Sequence, residues 1–156
     1  MRTTATMTDD EQAGFREDLG ASIVRSSQGA FAAALGIAIE ELGPGRMVGR
    51  LFLEDHHLIQ AGGLVHAGTV FGLADNCAGW GCVASLPEGI RGFATIEGKI
   101  NLIATAGRGD TLLATAVMEH GGQTTQVWDV RVVRQRGQRN IGLYRCTQML
   151  MTSTRM

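Results

Sequence analysis

Cysteine is scarce in this chain, and its few cysteines do not stand in a metal-binding or redox spacing. There are three among 156 residues: Cys77, Cys82 and Cys146. An odd count without a CxxC pair argues against a disulfide framework and against a zinc ribbon. We therefore expect small, buried thiols in a reducing compartment.

An excess of charge and a long hydrophobic run are also missing. Lys and Arg number 14 against 15 for Asp and Glu, which gives a net charge of −1. This balance argues against the basic surface with which proteins bind nucleic acid or anionic membranes. No run of about 18 apolar residues is present, and the opening MRTTATMTDDEQ lacks the apolar core of a secretion signal. We expect a soluble cytoplasmic protein that binds neither nucleic acid nor membrane.

The length of the chain fits a single domain over 1–156, large enough to bury a core. An N-terminal extension with a helix is predicted over 1–33, and the core over 34–150. The helix is signalled by the capping-box pattern TDDE at 8–11 and should end near SSQG at 26–29. Three apolar residues recur at every fourth position within it: Phe15, Leu19 and Ile23.

Short strand-like runs separated by turn residues fill most of the core. LGIAIEEL and RMVGRLFL flank GPG, while TLLATAVMEH, TTQVWDVRVVRQ and IGLYRCTQMLM are joined by glycine-containing turns. In ATIEGKINLIA, alternation predicts one face with Ala94, Ile96, Ile100 and Leu102, and another with Thr95, Glu97, Lys99 and Asn101. No helices separate the last four strands, so we predict an α+β fold in which an antiparallel sheet wraps around one long helix.

That helix is the stretch GGLVHAGTVFGLADNCAGWGC at 62–82, which is small and apolar but carries His66 and Asp75. Apolar residues on every side predict a buried helix from Val65 to about Ser85. Unpaired N–H groups at its start favour developing negative charge, as a tetrahedral oxyanion requires. A carboxylate in apolar surroundings must be hydrogen-bonded or face a cavity, and such acids are catalytic candidates. Taken singly, the Asp is equally compatible with a satisfied core group, and the His with a helix cap.

Three points in this region follow the spacing of a known active-site motif. The chain resembles the hotdog-fold acyl-CoA thioesterases of the phenylacetate-degradation (PaaI-like) type. Their motif has Gln or Asn, then His-Gly-Gly six residues later, and Asp or Glu nine residues after the His. The corresponding residues here are Gln60, His66-Ala67-Gly68 and Asp75. Ala67 departs from the motif, because the family usually has glycine at that position.

The resemblance implies hydrolysis of a thioester between coenzyme A, or a related pantetheine carrier, and an acyl group, without a metal or other cofactor. It implies that Asp75 acts as nucleophile or general base. The backbone N–H that follows His66 is taken to polarise the thioester carbonyl, and Gln60 to position the carbonyl or the water. Ala67 retains its N–H, so the electrophilic role is preserved.

Four further residues are candidates for substrate binding. Gly68 completes the motif at the start of the helix, and two aromatic residues, Phe71 and Trp80, follow on the same helix. Arg108 lies in a turn, where a guanidinium group can bind the phosphates of coenzyme A. A helical aromatic residue is ordinarily core, however, and a single turn arginine is ordinarily solvated. The His pair at 56–57 has no matched ligand nearby, so no metal site is predicted.

The separation of the two motif residues on one helix predicts a shared active site. His66 and Asp75 are nine residues apart, which puts them on opposite faces and about 13 Å apart along the axis. Either one of them is structural, or a second copy of the chain completes the site. A two-fold dimer provides the second arrangement twice. The resemblance likewise implies homodimers that pair further into homotetramers.

A second class of function stays open, namely a non-catalytic module that senses acyl-CoA in the same tunnel. Asp75 favours the enzyme, because a sensor needs no buried acid. A hydratase or dehydratase on the same fold would need a different arrangement of His and acid.

Overall fold

In the described part of the chain, six strands form one antiparallel sheet that packs around the long helix at 67–84. The computed structural model describes residue 22, residues 31–60 and residues 62–152. The elements in chain order are α1 (Phe31–Leu35), β1 (Ala38–Gly43), β2 (Arg46–Phe52), a 3₁₀ turn (Asp55–His57), α2 (Ala67–Ala84), β3 (Gly92–Leu102), β4 (Thr111–Gly121), β5 (Thr125–Arg134) and β6 (Arg139–Met151). The strand order is β1-β2-β4-β5-β6-β3, and every neighbouring pair is antiparallel. The predicted α+β architecture is confirmed.

The strand and helix boundaries follow the turn residues of the sequence. β1 and β2 form the predicted hairpin around Pro44, with Gly45 at a positive φ of 75° that suits glycine. The helix predicted to end near 26–29 lies outside the described residues, apart from residue 22, which is helical. The described residues also contain the short helix α1, which the sequence did not predict.

The helix α2 contacts all six strands, and its glycines let the sheet approach closely. A Cβ at Gly81 would come within 2.7 Å of the Trp128 ring, and a Cβ at Gly49 of β2 would come within 2.5 Å of Cys77 Sγ. Small residues at these contacts therefore set the distance between helix and sheet. None of the described helices is both long and apolar enough to span a membrane.

Hydrogen bonds fix the C-terminal end of α2 to the sheet. The Ser85 hydroxyl donates to the Gly81 carbonyl and accepts from the Gly45 N–H, both at 2.8 Å. The side-chain amide of Gln126 donates to the Ser85 carbonyl at 2.9 Å and accepts from the Trp128 indole N–H at 2.9 Å. This end of the helix is thus held by a satisfied, partly buried polar network.

The strict alternation predicted for β3 is wrong, because the strand contains a β-bulge. Its register with β6 shifts between Thr95 and Glu97, which adds one residue to β3. Thr95 pairs with the fully buried Gln148, whereas Ile96, expected on the same face as Ile100, is 56% exposed. Residues ahead of the shift lie on the faces opposite to those predicted: Ala94, Thr95 and Ile96.

β3 is also an edge strand of the sheet. Within the described residues its only strand neighbour is β6, so the other side of this 11-residue strand has no strand partner. Apolar side chains are exposed along it, including Ile96 at 56%, Leu102 at 43% and Ile103, just beyond it, at 55%. A long, exposed and apolar edge is unfavourable in an isolated chain, since it offers a template for another strand.

Candidate active site

His66 is the residue that caps the start of α2. Its backbone is extended, with φ −70° and ψ 139°, and its Nδ1 accepts a hydrogen bond of 2.9 Å from the Gly68 N–H. Its carbonyl accepts from the N–H of Thr69 at 3.0 Å. The imidazole of His66 therefore has a structural role at the helix start.

The Ala67 N–H is the first of the helix, and it differs from its neighbours in having no acceptor within residues 31–60 and 62–152. Ala67 and the residues on either side of it are exposed. A solvent-accessible N–H at the positive end of a helix is suited to binding a negatively charged oxygen. The electrophilic role expected for this N–H, with alanine in place of glycine, stays a prediction.

The loop before α2 is anchored by His57, a residue to which the sequence assigned no role. Its carbonyl accepts from the His66 N–H and from the Thr69 hydroxyl, both at 2.9 Å. Its imidazole is 1% exposed, with Nδ1 accepting from the Glu54 N–H and Nε2 donating to the Leu35 carbonyl, each at 2.9 Å. Burial lowers the pKa of His57, so the ring is neutral in the fold. His57 thus connects α1, the loop and the start of α2.

Gln60 lies at the exposed tip of a short loop that leads into the helix. The loop is closed by a hydrogen bond of 2.9 Å from the Ile59 N–H to the Leu64 carbonyl. Gly62 and Gly63 follow with φ of 119° and 63°, values that favour glycine. This geometry brings Gln60 to the same end of the molecule as the Ala67 N–H.

Asp75 is half-buried in the middle of α2, and its carboxylate is held by the sheet. The Tyr144 hydroxyl of β6 donates to Asp75 Oδ1 at 2.7 Å, and the Thr95 hydroxyl of β3 lies 3.4 Å from the same oxygen. Thr95 lies closer to Gln148, donating to its Oε1 at 2.9 Å. A hydroxyl has one proton to donate, so Tyr144 is the stronger partner of Asp75.

The two halves of the motif do not meet within one chain. α2 is continuous from Ala67 to Ala84, so Asp75 is eight residues beyond the first residue of the helix. At 1.5 Å per residue this corresponds to about 12 Å along the axis. The Ala67 N–H and the Asp75 carboxylate therefore lie too far apart to act on one carbonyl group.

The predicted substrate-binding residues divide between these two regions. Phe71 packs edge-to-face against Tyr144, with ring centroids 5.1 Å apart, and so lies beside the acid. Trp80 is half-buried five residues beyond Asp75. Arg108 is exposed and ion-paired with Asp55, in a loop joined to the start of α2 by the Gly107–Leu64 bridge. Gly68 is the exposed residue whose N–H is capped by His66.

The three thiols are buried, as expected, and are unsuited to nucleophilic catalysis. Burial raises the pKa of Cys77 and Cys82 to about 12, and that of Cys146 to about 11. All three are therefore protonated near neutral pH, where only a thiolate is an effective nucleophile. Asp75 is thus the better candidate for the reacting group.

The segment that contains the helix start and Asp75 matches a known protein superfamily. The thioesterase superfamily matches residues 62–141, the segment from the loop before α2 to the start of β6, which is just over half of the chain. The chain belongs to the thioesterase superfamily. The matched segment includes His66, Ala67 and Asp75, with Gln60 just ahead of it.

Individual members of the superfamily agree with this assignment. Acyl-coenzyme A thioesterase PaaI of Escherichia coli K12 is 32% identical over 80 residues, which are 51% of this chain and 54% of that protein. The match thus spans about half the length of that relative. The solved E. coli PaaI protein of the phenylacetic acid degradation operon superposes with a TM-score of 0.74 at 25% identity, covering 87% of this chain and 96% of that one. A hypothetical thioesterase from Streptococcus pneumoniae TIGR4, solved with coenzyme A, has a TM-score of 0.66 at 25% identity, over 73% and 87% of the two chains.

These similarities confirm the hotdog fold and the PaaI-like resemblance. The superfamily motif did not indicate three polar residues that the structure brings to the site: Tyr144, Thr95 and His57. A hydroxyl at an inward position of a strand opposite the helix is the signal that would have pointed to Tyr144 and Thr95. That signal becomes usable only once the strand register is known.

Proposed function

We propose that this protein is a cytoplasmic hydrolase that cleaves acyl-coenzyme A thioesters to the free acid and coenzyme A. The observation that carries the proposal is the pairing of an accessible Ala67 N–H at a helix start with a hydrogen-bonded carboxylate, Asp75, on the same helix. The name of the E. coli relative and the coenzyme A of the S. pneumoniae structure support this substrate class.

The Ala67 N–H is suited to the first requirement of thioester hydrolysis, which is to stabilise negative charge on the carbonyl oxygen. The carbonyl oxygen accepts a hydrogen bond from this N–H, and the bond strengthens as the oxyanion forms. Gln60, at the same end of the helix, positions the carbonyl or the attacking water. The methyl group of Ala67 leaves the donor in place.

Two routes are open to Asp75. As a general base, it takes a proton from water while the water oxygen bonds to the acyl carbon; the C–S bond then breaks, and the sulfur leaves with that proton as the thiol. As a nucleophile, its carboxylate bonds to the acyl carbon and expels the thiolate, leaving an anhydride that water hydrolyses. Oxygen from isotopically labelled water that enters the Asp75 carboxylate during a single turnover indicates the second route, because the general-base route puts that oxygen only in the free acid.

We further propose that the active site is shared between two chains. The separation along α2 prevents Ala67 and Asp75 of one chain from reaching the same carbonyl. The exposed edge of β3, with Ile96 and Ile103, is suited to pairing with a second copy, and β3 also carries Thr95 next to Asp75. In this dimer, Asp75 of one chain acts with Gln60 and Ala67 of the other.

The substrate has two ends to be recognised. Phe71, beside the acid, is placed to line the acyl pocket together with Trp80. Arg108, exposed near the helix start, is placed to bind the coenzyme A phosphates after exchanging its partner Asp55 for phosphate.

Pairing of two dimers into a tetramer, as the family resemblance implies, completes the proposed assembly.

Thiol release from a panel of aryl, short-chain and medium-chain acyl-CoAs tests the activity. Asp75→Asn should lower kcat by at least about a hundredfold, because it removes the base or nucleophile while preserving shape. The matched control is Asp129→Asn on β5, whose carboxylate pairs with Arg145 at an exposed position. Circular dichroism should show that both variants fold. Binding of acyl-CoA without thiol release from any substrate would instead favour a sensor.

A further inference from the structure

Tyr144 is the residue that connects the proposed catalytic acid to the sheet. Its side chain is buried on β6, and its hydroxyl donates to Asp75 Oδ1 across 69 positions of the sequence at 2.7 Å. Burial and the bond to Asp75 raise the pKa of Tyr144 well above its ordinary value. The phenol therefore stays protonated at any pH at which a thioesterase works, and it is a permanent donor.

The phenol is fixed by its surroundings as well as by its hydrogen bond. Phe71 of α2 packs edge-to-face against the ring, with the two planes at 84°. Next to both rings lies Gly98 of β3, where an added Cβ would come within 2.8 Å of the Tyr144 hydroxyl oxygen and 3.3 Å of Phe71 Cζ. Only a glycine leaves room for the hydroxyl at this place.

The two hydroxyl groups near Asp75 meet the same carboxylate oxygen. Tyr144 and Thr95 both lie against Oδ1, at 2.7 Å and 3.4 Å, so Oδ2 is the oxygen that neither hydroxyl engages. A hydrogen bond of this length to a carboxylate is strong and directional. It restricts rotation of the carboxylate about its Cβ–Cγ bond and so selects one oxygen for reaction.

We infer that Tyr144 is a positioning residue that holds Asp75 by Oδ1 and presents Oδ2 to the water or the acyl carbon. Gly98 contributes to this positioning, because it leaves space for the Tyr144 hydroxyl. The inference rests on the proposed hydrolase activity and adds to it a residue from another strand. Positioning of this kind changes the rate of the chemical step and leaves substrate affinity alone.

Tyr144→Phe keeps the ring and removes only the hydroxyl. We expect kcat for thiol release to fall about ten- to a hundredfold with KM within about twofold of wild type. The control is Ser85→Ala, which removes a hydroxyl at the C-terminal end of α2 and should lower thermal stability without changing kcat. If Tyr144 served the fold alone, its variant would behave like that control.

A double-mutant cycle separates action through Asp75 from a direct effect. In an Asp75→Asn background, Tyr144→Phe should change the residual rate by less than about twofold. An equal loss in both backgrounds would overturn the inference. If the wild-type protein released no thiol, the proposed function itself would fail; if it did, and only Asp75→Asn was impaired, the role of Tyr144 alone would be wrong.

A second variant tests the same geometry with the phenol intact. Gly98→Ala should displace the hydroxyl from Asp75 and lower kcat about tenfold; kcat alone is the readout here, because the same Cβ would come within 3.3 Å of Phe71 Cζ in the proposed acyl pocket. Gly92→Ala is the matched control on β3, since its Cβ would meet nothing closer than Met151 at 3.7 Å. Analytical ultracentrifugation should show the same oligomeric state for both variants. Wild-type kcat in Gly98→Ala would contradict the positioning role.

Discussion

Two differently damaged chains should regain activity when they are paired in one dimer. The first variant is Asp75→Asn, which removes the acid. The second is Ala67→Pro, which removes the single N–H proposed to bind the oxyanion. Proline suits this position, because it is the first residue of α2 and its N–H has no acceptor among the described residues. His66 already has the extended backbone, with ψ 139°, that a residue before proline requires.

The size of the recovery follows from the geometry of the proposed site. Loss of one oxyanion donor costs about a hundred- to a thousandfold in kcat, and Asp75→Asn costs at least about a hundredfold. Each variant alone should therefore have about 1% of wild-type activity or less. In a mixed dimer, one active site contains both substitutions, and the other contains the unchanged Asp75 and Ala67. Random pairing makes half of the dimers mixed, so activity per chain should recover to roughly a quarter of wild type.

The assay is thiol release after the two variants are unfolded together and refolded in equal amounts. Subunit exchange is verified with a mass tag on one variant, and each variant refolded alone is the control. Recovery to about a quarter places Asp75 and Ala67 of different chains in one site. Activity that stays near 1% in mixtures with proven exchange would refute the reasoning, because the complete site would then lie within one chain.

Three further predictions concern the groups around the helix start. Gln60→Ala should lower kcat less than Asp75→Asn does, and equal losses in thiol release would reverse the two roles. Ala67→Gly should hold or raise activity on bulky acyl-CoAs and reduce the free energy of unfolding by up to about 1 kcal/mol; loss of activity would show that the methyl group fits the substrate. Burial lowers the pKa of His57 below its ordinary value of 6.5. The neutral His57 ring therefore stabilises the fold fully above pH 6.5, and this stabilisation is lost as the pH falls through the folded-state pKa. Urea unfolding between about pH 7 and pH 5 should show this loss in wild type but not in His57→Gln, where the Glu54 N–H no longer meets a titrating ring.

The order of the elements could be predicted because turn residues and apolar periodicity are local properties of the sequence. The hairpin around Pro44 and the helix from Ala67 to Ala84 lie within a few residues of their predicted limits. Asp75 lies in the middle of that helix as predicted, and His66 has the helix-cap role that was one of its two alternatives. In each case, neighbouring residues carry the signal, so a single sequence contains enough information.

The surroundings of the acid could not be predicted in the same way. Tyr144 stands in IGLYRCTQMLM, where an aromatic residue at an alternating position is indistinguishable from core. Thr95 was predicted to lie on the wrong face of β3, because a β-bulge follows it. This bulge depends on pairing with β6, and no residue within β3 signals it. Both contacts join distant parts of the chain, and a one-residue error of register reverses every side chain before the bulge.

The strand β3 both lies beside the proposed catalytic acid and forms an exposed edge of the sheet. Its inner face lies beside the acid, with Thr95 3.4 Å from Asp75 Oδ1 and with the space that Gly98 leaves for Tyr144. Its outer edge has no strand partner in the described chain and exposes Ile96, the residue that the bulge turns outward. The same bulge thus brings the Thr95 hydroxyl close to the Asp75 carboxylate and exposes the apolar side chain of Ile96 along the edge strand. In the proposed dimer, pairing of this edge would therefore stabilise the strand that positions the acid, so a chain without its partner would lack both the second half of the site and firm support for the first.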